Sequence, residues 1–241
     1  MVQTKIFAHR GFSGNYPENT MSAFKQAVKA GADGIELDIQ FTKDHIPVII
    51  HDRTVNRMTN GKGFVCEFPL AELQKLQMKE DPSERIPTFE EFLQWVEPHP
   101  VLLNVELKTE LKDRGKITEL MLPLLTKYDV EDRTILSSFD HKALQAAKQK
   151  KPHIESAALV HQAMVDPGEY LEKLSVEGIH FKASTLLMDE ATELQEKGYR
   201  LRPYTVNTAD QMNQFFTWGC EGIFTDYPDL ALTVRGKVDR L

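Results

Sequence analysis

The sequence predicts an α/β protein: a single-domain (β/α)8 TIM barrel with a small excursion after its second strand. Three observations carry that expectation. Short apolar runs alternate with amphipathic stretches along the chain, the pattern of parallel strands joined by crossover helices. Ionisable residues close several of those runs, and a closed barrel gathers many separated strand ends on one face. An open doubly wound sheet would gather only those near its switch point. The length, 241 residues, suits one such barrel, which typically runs to roughly 250 residues.

Strand candidates lie at residues 4–8, 34–40, 47–50, 101–107, 134–138, 155–160, 178–181, 201–206 and 222–224. Helix candidates lie at 20–30, 69–77, 88–97, 113–127, 140–150, 167–174, 188–197, 208–218 and from 228 onward. Eight major strand–helix units fit if 47–50 extends the region of the second strand. The first run, Lys5-Ile6-Phe7-Ala8, delivers His9 and Arg10 into a turn at Gly11. Asn19-Thr20 precedes the first helix and can cap its free amides, and Gly31 can end it in a left-handed turn. The second run, Gly34-Ile35-Glu36-Leu37-Asp38-Ile39, sets two carboxylates two residues apart, and strand alternation points both to one face. Val48-Ile49-Ile50-His51-Asp52 closes on a second histidine. Residues 53–85 are the least regular part; Asn60-Gly61-Lys62-Gly63 is a turn signal there. That stretch is too short for a domain and reads as an excursion over the top of the barrel. Val101-Leu102-Leu103-Asn104-Val105-Glu106-Leu107-Lys108 ends with Glu106 and Lys108 on one face. Ser137-Ser138-Phe139, Phe181-Lys182, Tyr204-Thr205-Val206-Asn207 and Thr225-Asp226-Tyr227-Pro228 close later runs. Gly198 can end the helix before it, and Thr208 can cap the one after it. No linker, repeat or low-complexity tract is visible, so one domain over residues 1–241 is expected.

Composition narrows the function. The net charge is −7 with no basic block, which argues against a nucleic-acid partner, because phosphate contacts need clustered Lys and Arg. No apolar run approaches the ~18 residues a membrane span needs, and no stable membrane anchoring is expected. The N-terminus lacks a charged stretch followed by an apolar core and cleavage site, so a cytoplasmic location is expected. Cys66 and Cys220 share no motif and read as incidental thiols.

The strand-end residues carry the chemistry. Paired carboxylates repel unless a cation or a shared proton lies between them. Glu36, Asp38 and Glu106 offer only oxygen, a set suited to the hard cations Mg²⁺ or Ca²⁺, with Mn²⁺ also accepted; zinc would favour His and Cys. Arg10 can clamp a phosphate through two parallel hydrogen bonds, and Lys108 adds a point charge. His9 and His51 supply what phosphodiester cleavage needs, a base for the nucleophile and an acid for the departing alkoxide. Singly, each of these residues has a structural reading: a strand-end histidine is more often structural, and a lone Glu, Lys or Arg is usually solvated or ion-paired. Jointly, so many ionisable groups near a core are costly without a function. His45, His99, His141, His153 and His161 read as surface residues. His180 is expected to point to the opposite face of its strand and is given no role, and Lys182 stays open between surface and site.

The chain resembles the glycerophosphodiester phosphodiesterase family of the compact bacterial type. The resemblance rests on Ala8-His9-Arg10-Gly11, Pro17-Glu18-Asn19-Thr20, Gly34-Ile35-Glu36-Leu37-Asp38-Ile39 and Pro47-Val48-Ile49-Ile50-His51-Asp52. It continues through Val105-Glu106-Leu107-Lys108, Ser137-Ser138-Phe139, Tyr204-Thr205-Val206-Asn207 and Gly222-Ile223-Phe224-Thr225-Asp226-Tyr227-Pro228, in the family's order. It implies an eight-stranded barrel, one divalent cation, and hydrolysis of a small-molecule glycerophosphodiester to sn-glycerol 3-phosphate and an alcohol. By position it makes His9 and His51 the acid–base pair, Glu36, Asp38 and Glu106 the metal ligands, and Arg10 and Lys108 the phosphate holders. Tyr204 departs from the Trp of many relatives, a modest change in an aromatic wall. Attack by the glycerol 2-hydroxyl through a cyclic phosphate and direct attack by water are both open routes.

Rival readings are a lysophospholipase D-type lipid hydrolase, a catalytically inactive glycerophosphodiester-binding barrel, and a metal-independent two-histidine lyase. The chain shows no amphipathic or aromatic-rich insertion for docking on lipid. A binding-only barrel need not retain both histidines and all three carboxylates, and a metal-independent lyase would not need the carboxylates clustered.

Overall fold

The computed structural model describes residues 3–109 and 114–238. Its strands are β1 (Lys5–Ala8), β2 (Gly34–Phe41), β3 (Pro47–Ile49), β4 (Leu102–Leu107), β5 (Thr134–Ser138), β6 (Glu155–Val160), β7 (Gly178–Lys182), β8 (Arg200–Tyr204) and β9 (Gly222–Thr225). The helices are α1 (Met21–Ala30), α2 (Leu70–Leu73), α3 (Phe89–Val96), α4 (Arg114–Lys127), α5 (His141–Lys150), α6 (Pro167–Leu174), α7 (Met188–Glu196), α8 (Ala209–Thr217) and α9 (Pro228–Val238). The expected start of the fourth helix at Asp113 lies outside the described residues.

Eight of the strands form a nearly closed parallel barrel in the order β8-β7-β6-β5-β4-β2-β1-β9. The seam between β8 and β9 is crossed just beyond β8, where the Val206 amide donates to the Phe224 carbonyl at 2.8 Å. β3 stands outside this order: it runs antiparallel to β2, with Ile39 opposite Ile49. The barrel and the post-β2 excursion are therefore as the sequence predicts, and β3 indeed belongs to the region of the second strand.

Local chemistry explains how the helices begin and end. Thr20 Oγ1 accepts from the Ala23 amide at 3.3 Å, and Gly31 ends α1 at φ +93°, a conformation only glycine adopts freely. The buried face of α1 is Ala23, Phe24 and Ala27, and Phe24 and Ala27 pack with residues of β2 and α3 in the larger hydrophobic cluster. Truncating Phe24 there would cost about 3–5 kcal/mol. Thr208 caps α8 by accepting from the Gln211 amide at 3.3 Å.

The excursion is ordered by its own small core of Val48, Ile50, Val55, Met58, Val65, Leu73, Met78 and Ile86. α2 is shorter than the 69–77 expected, because tertiary pairing overrides helix propensity. Thr59 bridges to Met78, and the Asn60 amide takes the Gln77 carbonyl at 3.0 Å.

Register positions the site. In the β2–β4 ladder, Glu36 lies beside Asn104 and Asp38 beside Glu106. Beneath them, Phe7, Ile135, Ala157 and Phe224 fill the barrel interior as one buried cluster.

Candidate active site

At the C-terminal ends of the strands, Glu36, Asp38 and Glu106 bring carboxylate oxygens within 4.8 Å of one another, all three residues buried. Two cations flank them. Lys108 Nζ lies 2.6 Å from Glu106 Oε1 and 3.2 Å from Asp38 Oδ1, and Arg10 Nε lies 3.5 Å from Asp38 Oδ2. The Arg10 backbone holds the left-handed conformation, φ +56°, which a side chain tolerates poorly. What fixes it is polar: its amide donates to Glu36 Oε2 at 2.7 Å, and its carbonyl accepts from the Asn19 amide at 2.9 Å. Gly11 follows at φ +80°, where a Cβ would sit 2.7 Å from the Ala23 backbone, so the turn against α1 requires glycine.

The charges of this cluster are unequal. Burial opposes the charge on Asp38, but Lys108, Arg10, His51 and a hydrogen bond from Asn19 outweigh it and hold its pKa far below the carboxylate range. Burial, then Asp38 and Glu106, push Glu36 well up. Burial and Asp38 push Glu106 up to about 7 against the pull of Lys108. Two of three clustered carboxylates therefore strain against their charge, which an added cation would relieve. Moreover, Asp38 Oδ1 and Glu106 Oε1 are buried and meet the geometry of no hydrogen bond, although Lys108 is near. An all-oxygen set of crowded, buried carboxylates, two of them with pKa pushed up by burial and mutual repulsion, fits a hard divalent cation.

Each histidine is oriented by a carboxylate. His9 Nδ1 donates to Asp226 Oδ1 at 2.7 Å, and His51 Nδ1 donates to Asp52 Oδ1 at 2.9 Å. Because a carboxylate only accepts, Nδ1 of each neutral ring carries the proton and Nε2 is the nitrogen with a free lone pair. Asp226 also accepts from Asn207 Nδ2 at 2.6 Å and Ser13 Oγ at 3.1 Å. Burial, then Lys108 and Arg10 against Asp38, lowers the His51 pKa. Arg57 spans the other side of the site. It donates to both oxygens of Asp52, at 2.6 and 3.0 Å, and to both of Glu18, at 2.6 and 3.0 Å; Glu18 in turn takes Arg10 Nη1 at 3.0 Å.

Two adjoining cavities open on this cluster. The inner one, about 210 Å³, is lined by His9, Arg10, Glu36, His51, Glu106 and Lys108, with Asn104, Leu159, His180 and Phe224 below and Phe139, His161, Tyr204 and Thr205 alongside. The second, about 470 Å³, shares His51, Glu106, Lys108 and Phe139 and continues past Asp52, Arg53, Thr54, Thr109 and Asp140.

All seven residues singled out in the sequence, His9, Arg10, Glu36, Asp38, His51, Glu106 and Lys108, meet at this one place. Other participants were not legible there. Asn19 was expected to cap α1; Thr20 does that alone, and Asn19 Nδ2 instead donates to Asp38 Oδ2 at 2.8 Å. His161, expected at the surface, is exposed but stacks on Phe139 at the cavity mouth, centroids 3.8 Å apart. His180, given no role, is fully buried and lines the inner cavity. Strand parity was the available signal, since His180 and Lys182 share a face, but Lys182 is exposed at the strand end. Asp226, Asp52, Glu18 and Arg57 act through neighbours, and adjacency of that kind is a property of the fold.

Fold and site together define a barrel enzyme whose strand ends suit a divalent cation and a phosphorylated substrate. Residues 9–230 match the model of the Glycerophosphoryl diester phosphodiesterase family, and the chain belongs to that family, a family of phosphoric diester hydrolases. A glycerophosphodiester phosphodiesterase of Bacillus altitudinis is 40% identical over 98% of this chain and 99% of its own length. One from Caldanaerobacter subterraneus is 36% identical over 98% and 99%. Among solved structures, an Oleispira antarctica phosphodiesterase in complex with the product sn-glycerol-3-phosphate superposes with a TM-score of 0.92 at 29% identity, covering 96% of each chain. Among the described residues, no helix is long and apolar enough to cross a membrane.

Proposed function

We propose that this chain, acting as one domain over residues 1–241, is a cation-dependent hydrolase of glycerophosphodiesters that releases sn-glycerol 3-phosphate and an alcohol. The observation that carries the reading is the meeting of three buried carboxylates, two cationic side chains and two carboxylate-oriented histidines on one cavity. Glu36, Asp38 and Glu106 would hold one divalent cation, Mg²⁺ or Ca²⁺ with Mn²⁺ also suited; bound there, it supplies Lewis-acid polarisation of phosphate and hydroxyl oxygens. Arg10 and Lys108 bind the phosphate and offset the charge that builds on it during transfer.

The histidines divide the proton work by position. His9 lines only the inner cavity, whereas His51 lines both. A glycerol moiety in the small inner cavity puts its 2-hydroxyl beside His9 Nε2, which takes the proton as that oxygen attacks phosphorus. His51 Nε2, at the junction, gives a proton to the departing alcohol in the second cavity. Water then opens the cyclic phosphate with the two roles exchanged. Asp226 and Asp52 stabilise each imidazolium as it forms.

The test is which bond breaks. Glycerophosphocholine incubated with the protein and cation should yield sn-glycerol 3-phosphate and choline, identified by phosphorus and proton NMR. Glycerol and phosphocholine as the products would contradict the assignment of cavities, and an unchanged substrate would contradict the function.

A further inference from the structure

The lining of the inner cavity carries two buried polar atoms that the cation and acid–base groups leave unused. Asn104, beside Glu36 in the β2–β4 ladder, and His180, on β7, both line the cavity. They are 2% and 0% exposed. Asn104 Nδ2 donates to Ser137 Oγ at 3.0 Å, which directs its Oδ1 elsewhere; that oxygen is buried and accepts nothing. Arg202 Nη1 lies 3.4 Å from His180 Nε2. A guanidinium only donates, so His180 Nε2 accepts and the ring proton resides on Nδ1. That Nδ1–H is buried and has no acceptor. The ring is neutral, since burial and the charge of Arg202 hold its pKa well below the ordinary histidine value.

Unmet buried donors and acceptors are expensive, and each calls for a partner. Here the pair consists of one acceptor and one donor, with Leu159 and Phe224 as apolar neighbours in the lining. The Phe224 ring lies 4.8 Å from the His180 ring. One donor and one acceptor in an apolar setting is the complement of an alcohol hydroxyl on a short carbon chain.

We infer that Asn104 Oδ1 and His180 Nδ1 form a hydroxyl subsite that receives the terminal, unphosphorylated hydroxyl of the glycerol moiety and so selects free glycerol diesters. This rests on the function proposed above. It places the fixed part of the substrate in the inner cavity of about 210 Å³ and leaves the variable alcohol to the neighbouring cavity of about 470 Å³. It also excludes substrates acylated at that hydroxyl. Below the subsite, the cluster of Phe7, Ile135, Ala157 and Phe224 fills the barrel, so an acyl chain attached there has no path onward.

The experiment compares kcat/KM for glycerophosphocholine, for its analogue lacking the terminal hydroxyl (2-hydroxypropyl phosphocholine), and for 1-acyl lysophosphatidylcholine. Wild type, His180→Phe and Asn104→Ala are each assayed. Wild type should prefer the parent over the deoxy analogue by about 10-fold or more and leave the lysolipid essentially untouched. Each variant should lose about 10- to 100-fold on the parent while its parent-to-analogue ratio falls toward one. That ratio is taken within one preparation, so a partly unfolded variant still reports. A wild-type ratio near one, a variant that keeps the wild-type ratio, or lysolipid turnover rivalling the parent overturns the subsite while the proposed function stands. A wild type inert toward parent and analogue alike overturns the proposed function, and the subsite with it.

Discussion

His9 Nδ1 lies 2.7 Å from Asp226 Oδ1, a contact between residues 217 positions apart that links the end of β1 to the end of β9. The contact fixes the imidazole tautomer and ring direction, so that Nε2 is offered to the cavity. Asp226→Asn should preserve the fold, because Asn207 and Ser13 still find partners, but it permits the wrong tautomer. The expected loss in kcat is about 10²-fold or more at nearly constant KM. Steady-state kinetics on glycerophosphocholine check this, and an unchanged kcat would remove Asp226 from the positioning of His9.

The two histidines separate by leaving group. An alcohol such as choline needs a proton on departure, whereas 4-nitrophenolate leaves well without one. His51→Ala should therefore lose at least ~10²-fold on glycerophosphocholine and much less on a glycerol 4-nitrophenyl phosphodiester. His9→Ala should lose on both substrates alike. The reverse pattern would interchange the assigned roles.

Bound cation should appear as stability. A ligand of the native state alone adds RT ln(1 + [L]/Kd), about 2.7 kcal/mol at one hundred times Kd. Thermal melts should thus rise on adding Mg²⁺, Ca²⁺ or Mn²⁺ to chelator-treated protein. Glu36→Gln or Glu106→Gln should suppress that rise, and a variant whose melting temperature still climbs like wild type would show the cation binding elsewhere.

His180 makes a prediction about pH. Its folded-state pKa lies well below the ordinary value of 6.5 because it is buried beside Arg202. Below pH 6.5 the unfolded chain binds a proton that the native state refuses, so stability is full above that pH and falls as pH drops. Between about pH 7.5 and 5.5 wild type should therefore lose stability that a chain without this histidine keeps. Urea unfolding of wild type against His180→Phe should show that difference in slope; parallel curves would mean that His180 titrates normally in the fold.

The barrel was legible because alternation of apolar runs is a local property, and the seven site residues because each lies within or just after such a run. Partners set by register or turn conformation were not. Asn19 looks like a helix cap until the left-handed Arg10 and Asn19 backbones, φ +56° and +57°, carry its amide to Asp38. Helix α2 ends early because Asn60 and Gln77 pair through space. His180 was assigned to the wrong face although it shares strand parity with Lys182, because Lys182 sits at the exposed strand end and did not mark that face as the site.

The most direct test of the account is release of sn-glycerol 3-phosphate from glycerophosphocholine and glycerophosphoethanolamine, followed enzymatically under excess chelator and then with Mg²⁺ or Ca²⁺ restored. The account predicts release abolished by the chelator and recovered with at least one of these cations. Release that persists at full rate under chelation would contradict the three-carboxylate cation site at its centre.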